Sequence, residues 1–221
     1  MPEYKLVRSK RKTLTITVRD GGVIVKAPMR MTIEHINAFV GEKAGWISKK
    51  LSEAEGKNAL FARVIDGTAV MMSGELCPIV KTDSCKRIKF EDGKLLVPIK
   101  LDGDAQTRAI SSWYRRTAGA YLSHKLEEYS IATGLKYATF ATTNAKTKWG
   151  SCDGSCNIRL NWRLLMLDDK LVEYVIIHEL SHTLHHDHSA AFWAEVEKRC
   201  PDYKAARKRL KTHSVLTSLY R

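Results

Sequence analysis

No stretch of the sequence approaches the 18 consecutive apolar residues that a membrane-spanning helix requires, so a spanning segment is excluded. The opening residues MPEYKLVRSKRK carry charge with no apolar run behind it. A secretory signal is therefore not expected, and the cytoplasm is the expected location. Internal repeats and low-complexity tracts are also lacking. The five cysteines (Cys77, Cys85, Cys152, Cys156 and Cys200) are odd in number and irregular in spacing. That argues against a disulfide framework and for free thiols. Cys152 and Cys156 are close in sequence, but a structural zinc site needs two ligand pairs, so a cysteine-held metal is not expected.

Acidic residues are outnumbered. The chain of 221 residues has 37 Lys and Arg against 24 Asp and Glu, a formal net charge of +13. Basic clusters fall at Arg8 to Lys12 and at Lys204 to Lys211. A field of this sign suits nucleic acid, nucleotides or acidic surfaces, or simply a solvated face. The length allows one large domain or two small ones, with a core that needs no staples.

Alternating Leu14, Ile16 and Val18, the turn Asp20-Gly21-Gly22, and Val23 and Val25 predict a β-hairpin. A helix is expected from Thr32, a suitable cap, with Ile33, Ile36, Val40, Ala44, Ile47 and Leu51 on one face. Short strands return over 60–100, with a hairpin around Glu91-Asp92-Gly93. A boundary at 101–104 leads into a long helix ending near Gly134. Strands are expected at 137–140 and 157–162, then two closing helices at 168–185 and 189–199. Strands and helices come in blocks, so the fold class is α+β. The expected division is a hairpin-rich region over 1–103 and a catalytic region over 104–221, possible as one continuous domain.

The chemistry concentrates in Val175-Ile176-Ile177-His178-Glu179-Leu180-Ser181-His182. Histidines at i and i+4 share a helix face about 6 Å apart along the axis and can converge on one tetrahedral ion. Glu179 flanks that face, placed to contact a metal-bound water without being a ligand. This is the mechanical sense of H-E-x-x-H. The alternative is a pair of satisfied core histidines beside a structural carboxylate. A third ligand must come from His185, His186, Asp187 or His188. His185 lies two turns from His178, too far to share an ion with it and His182 on a straight helix. His188 lies beyond the expected helix end, where the chain can fold back, just before a capping Ser189. His188 is therefore the expected third ligand, with His185 and His186 outside the ligand set.

Trp149, Gly150 and Ser151 are expected in the wall of the substrate cleft, where Gly150 permits a close approach and a strand edge can take an extended peptide. Arg159 or Arg163 could stabilise an oxyanion or a phosphate, or each could equally be a surface strand residue. Cys152 is not needed as a nucleophile beside an activated water. Phe192 and Trp193 suit a core.

The motifs Thr147-Lys148-Trp149-Gly150-Ser151-Cys152, Ile158-Arg159-Leu160-Asn161-Trp162-Arg163-Leu164 and Tyr174 to His182, followed by His188-Ser189 with Phe192-Trp193, resemble the YgjP-like metallopeptidase-domain family. Arg11-Lys12-Thr13-Leu14, Ala27-Pro28, Trp46 to Leu51 and Pro201-Asp202-Tyr203 extend the resemblance over nearly the whole chain. It implies a zincin-type catalytic region related to SprT-like proteases. It also implies zinc on the histidines that align with His178, His182 and His188, and a catalytic glutamate at Glu179. A zinc metallopeptidase acting on peptide or protein is the leading expectation. The charge keeps two others open: a metal-dependent nucleoside triphosphate pyrophosphohydrolase, and a nucleic-acid-associated protein with a structural zinc.

Overall fold

A computed structural model describes residues 1–19 and 21–220. The fold is mixed α+β, as expected. The chain forms two compact units, Met1–Ala62 and Arg63–Arg221.

In the first unit, β2 (Thr15–Arg19) and β3 (Gly22–Pro28) pair antiparallel with Arg19 opposite Gly22. This is the expected hairpin; Asp20 of its turn lies outside the described residues. An earlier strand, β1 (Lys5–Ser9), runs parallel to β3 and gives the order β1-β3-β2. The expected helix is two, α1 (Ile33–Glu42) and α2 (Ala44–Leu60), divided at Lys43. Thr32 caps α1, its hydroxyl accepting from the His35 N–H at 3.3 Å. Strand alternation turns Val23, Val25 and Ala27 to one side, and helical spacing turns Ile36, Val40 and Ile47 toward them. These six form the buried core of the unit.

A short helix α3 (Ala62–Ile65) spans the division between the units. Next comes a sheet of order β4-β5-β7-β6, from β4 (Ala69–Met72), β5 (Glu75–Thr82), β6 (Lys89–Glu91) and β7 (Lys94–Pro98). The expected 88–97 hairpin is β6–β7; its turn residues Asp92 and Gly93 both have positive φ, 48° and 69°, which matches strand twist. The expected boundary at 101–104 falls inside the second unit. The strands before it are tied to residues after it. The Ser73 and Gly74 N–H groups donate to the carbonyls of Leu165 and Met166 at 3.0 and 3.1 Å. The buried Tyr114 hydroxyl donates to the Met71 carbonyl at 2.5 Å. Gly74 (φ 85°) is required where it stands, because a Cβ there would lie 2.8 Å from that of Asp168.

The long helix α4 (Gly103–Thr133) ends at Gly134 in the left-handed region, as the sequence predicts. A second sheet follows, β8 (Thr139–Thr143), β9 (Gly150–Cys152) and β10 (Asn157–Asn161), in the order β8-β10-β9. β8 is parallel to β10 and β9 is antiparallel to it, so β9 is an edge strand. After a 3-10 segment (Trp162–Met166), Asp168 caps α5 (Asp169–Ser181), accepting from the Leu171 N–H. α6 (Ala190–Arg199) follows. A third closing helix, α7 (Tyr203–Thr212), adds to the two expected. Among the described residues no helix is long and apolar enough to cross a membrane, and all five cysteines are free.

Candidate metal centre and active site

α5 is buried nearly all round. Leu171, Val172, Val175, Ile176, Ile177 and Leu180 are at most 3% exposed, so the polar groups among them need partners. The helix stops at Ser181 rather than continuing to 185. The Ser181 and Thr183 hydroxyls donate to the carbonyls of Ile177 and Leu180, and the N–H groups of His182, Thr183 and Leu184 each donate three residues back as the helix ends. The chain then bends, and the His185 carbonyl comes 2.9 Å from Nδ1 of His182. An Nδ1–H donated there leaves Nε2 of His182 with a free lone pair. His185 thus acts through its backbone; its ring does not join the cluster.

Ser189 caps α6, accepting from the Phe192 N–H. This cap sets His188 just ahead of the helix and over α5. His178, His182 and His188 come together, each offering a ring nitrogen within 4.8 Å of the others. The Nε2 atoms of His178 and His188 are 3.3 Å apart. Two nitrogens bound to one tetrahedral zinc stand ~3.3 Å apart, from bond lengths near 2.0–2.1 Å, so the His178–His188 pair already has the spacing of such an ion, with His182 close by. Phe192, fully buried, backs all three rings and stacks on His182 at 4.3 Å. Burial, then the neighbouring His182, His188 and Arg207, push His178 down to about 3. His182 is lowered too, chiefly by burial. Both rings are held neutral, the form that ligates a metal. Nδ1 of His178 is buried without a hydrogen-bond partner.

Glu179 is 5% exposed. It points away from the imidazoles' own helix toward β9. A Cβ built on Gly150 would lie 2.6 Å from its Oε1, so the carboxylate occupies the space that glycine leaves. Burial raises Glu179 to about 8, against the Lys148 charge and the Cys152 backbone N–H, both of which favour the ionised form. A recess of about 210 Å³ opens beside it, lined in part by Trp149, Gly150, Tyr174 and His178.

Of the expected cleft residues, Trp149 and Gly150 line this recess. Ser151 and Arg159 do not. They are opposite each other across the β9–β10 pair, one step out of phase with Gly150 and Leu160 and so on the other face. Arg159, 54% exposed, pairs there with Asp153 at 3.7 Å. Arg163 is no oxyanion partner either. It is buried, stacks 4.0 Å over Trp162, and donates to the Leu219 carbonyl and to Asn144 Oδ1. The Cys152 thiol is pushed up to about 11 by burial, Cys156, Glu179 and Asp153, which makes it a poor nucleophile. Lys148, Tyr174, Val175 and Leu210 also line the recess, and no spacing in the sequence marks them for it.

No curated protein matches the chain. Two solved structures are similar over part of it. One is the metallopeptidase zymogen abylysin of Pyrococcus abyssi, 27% identical, with a TM-score of 0.38, covering 41% of this chain and 92% of that one. The other is the metallopeptidase zymogen jannalysin of Methanocaldococcus jannaschii, 20% identical, with a TM-score of 0.35, covering 41% and 96%. The model of the YgjP-like metallopeptidase domain matches residues 12–213, nearly the whole chain and all of the site just described, and the chain belongs to that family.

Proposed function

We propose that the chain is a zinc-dependent peptidase in which His178, His182 and His188 hold the ion and Glu179 is the general base. The observation that carries this reading is three clustered imidazoles beside one buried carboxylate at an open recess. Three nitrogen ligands suit a catalytic zinc, which keeps a coordination position for water; a structural zinc is closed by a fourth protein ligand. When bound, zinc would lower the pKa of a water toward 7 and polarise a carbonyl. Glu179 takes the proton of the attacking water and returns it to the leaving amine. Its raised pKa makes it basic enough to do so near neutrality, and a cation beside it would lower the value from there. Gly150 and the Cys152 N–H aim the carboxylate. The His185 carbonyl orients the His182 ring.

A peptide is favoured over a nucleotide because β9 is an edge strand beside the recess. Its outer edge can pair with an extended main chain, a mode of binding that a peptide offers and a nucleotide does not. The test compares unstructured peptides with nucleoside triphosphates as substrates, with and without chelator. Chelator-sensitive peptide hydrolysis is expected. Glu179→Gln should keep the metal and lose about 10²- to 10⁴-fold in turnover. Full turnover in that variant removes Glu179 from the mechanism, and triphosphate hydrolysis without peptide hydrolysis overturns the substrate.

A further inference from the structure

The recess beside Glu179 is divided in character. Its 210 Å³ has room for about seven waters or one side chain of medium size. Trp149, Tyr174, Val175 and Leu210 give it an apolar body. Lys148 supplies a cation, and among the described residues Glu179 is the only carboxylate in the lining. A second cation stands close by. Arg207 lies one turn before Leu210 on α7, 4.7 Å over the Trp193 ring, and its charge is felt at both Tyr174 and His178. Among the described residues neither Lys148 nor Arg207 has a carboxylate in ion-pair contact.

The backbone that presents Lys148 is held with unusual thoroughness for a loop. Asn161 is fully buried. Its Nδ2 donates to the carbonyls of Ala145 and Lys148 at 2.8 and 2.9 Å, and its own N–H donates to Trp149 at 2.8 Å. The Thr217 hydroxyl holds the Lys146 carbonyl at 2.8 Å. A lysine on a fixed backbone can carry its apolar stem along the recess and its charge at the rim. Lys148 itself is exposed, so an anion met there pairs with it at the mouth of the recess, beside the apolar wall.

We propose that this recess selects a peptide carboxylate, with Lys148 as its counter-charge and Arg207 in support. The proposal rests on the peptidase reading. The carboxylate comes from a Glu or Asp side chain or from the peptide's own C-terminus.

The test uses the full-length, metal-loaded chain and a peptide series that differs only by Glu, Gln or Lys at each position in turn, each as free acid and as C-terminal amide. Hydrolysis is measured on the wild type, and equilibrium binding on Glu179→Gln, which binds without turning over. At one position, or at the free terminus, the charged form should be favoured by about tenfold or more, in KM and Kd rather than kcat. A side-chain source survives amidation of the terminus; a terminal source does not. Lys148→Met should bring the ratio close to one, Lys148→Arg should keep it, and Lys148→Glu should reverse it in favour of a Lys-bearing peptide. Equal binding of all members to Glu179→Gln overturns the proposal. So does Lys148-dependent binding of a nucleoside triphosphate with peptides bound alike, which would make the recess a phosphate site. Charge-selective binding without hydrolysis of any peptide leaves the pocket standing and removes the peptidase reading instead.

Discussion

The imidazole side of the site and its strand side are built by different means. His178 and His182 are neighbours on one helix, and His188 follows after a single bend fixed by the Ser189 cap. Local spacing and one cap suffice to bring their nitrogens together. The strand side has no such local logic. Gly150 meets Glu179 only because β9 pairs with β10 and the sheet lies against α5. Lys148 is where it is because Asn161 reaches back across the loop. The first side determines whether an ion is held, and the second determines where the carboxylate and the substrate sit. Damage to each should therefore be separable.

The largest effect is expected on the imidazole side. His188→Ala removes one of three donors, and metal affinity should fall by more than about 100-fold, because loss of even an outer partner of a ligand costs 10- to 100-fold. Metal content after dialysis against a graded chelator measures this. Wild-type retention would move the third ligand elsewhere. Asp187 is a weak substitute, since its Oδ1 already accepts from the Ser189 N–H at 3.0 Å.

A smaller and different loss is expected on the strand side. Gly150→Ala places a methyl 2.6–2.8 Å from three atoms of Glu179, so the carboxylate must move. A displacement of about 1 Å costs roughly 100-fold in turnover, while the metal should stay at wild-type stoichiometry. Loss of metal together with activity would show that the two sides are not independent.

The same division explains what could be read from the sequence. The i, i+4 histidines, the flanking Glu179 and His188 ahead of its capping Ser189 are local patterns, and the fold brings all four into one site. The 14–28 and 88–97 hairpins and the Gly134 helix end were likewise readable, because turn residues carry their own backbone preferences. Pairing of β1 with β3 is non-local and left no periodic signal. The expected run of α5 past Ser181 has a plain cause: Thr183, Leu184 and His185 are compatible with a helix, and the stop shows only in backbone bonds that reach three residues back at His182, Thr183 and Leu184. Arg159 and Arg163 stayed open between a site and a strand surface because a cation beside a motif looks the same whether it faces a cavity, solvent or a core. Strand phase decides the first, and the Leu219 carbonyl and Trp162 ring decide the second. Leu210 could not be placed at the recess without α7, a helix the pattern did not predict.

The gentlest probe separates the two sides by their opposite response to pH in the metal-free protein. His178 ionises near 3 in the fold and near 6.5 in the unfolded chain, so between those values the unfolded state binds the extra proton. Stability from this group is therefore lost as pH falls from about 6.5 to about 3. Glu179 ionises near 8 in the fold and near 4.5 unfolded, so the folded state binds the extra proton, and its contribution is lost as pH rises from about 4.5 to about 8. Between about 4.5 and 6.5 the two slopes oppose each other. Urea midpoints of the metal-free chain should accordingly be highest in that window and fall on either side. His178→Gln should make the acid limb shallower, with His182 still contributing to it, and leave the alkaline one; Glu179→Gln should flatten the alkaline limb and leave the acid one. A variant that flattened both limbs would mean that the imidazole and strand sides titrate as one unit, and the separation drawn between them would fail.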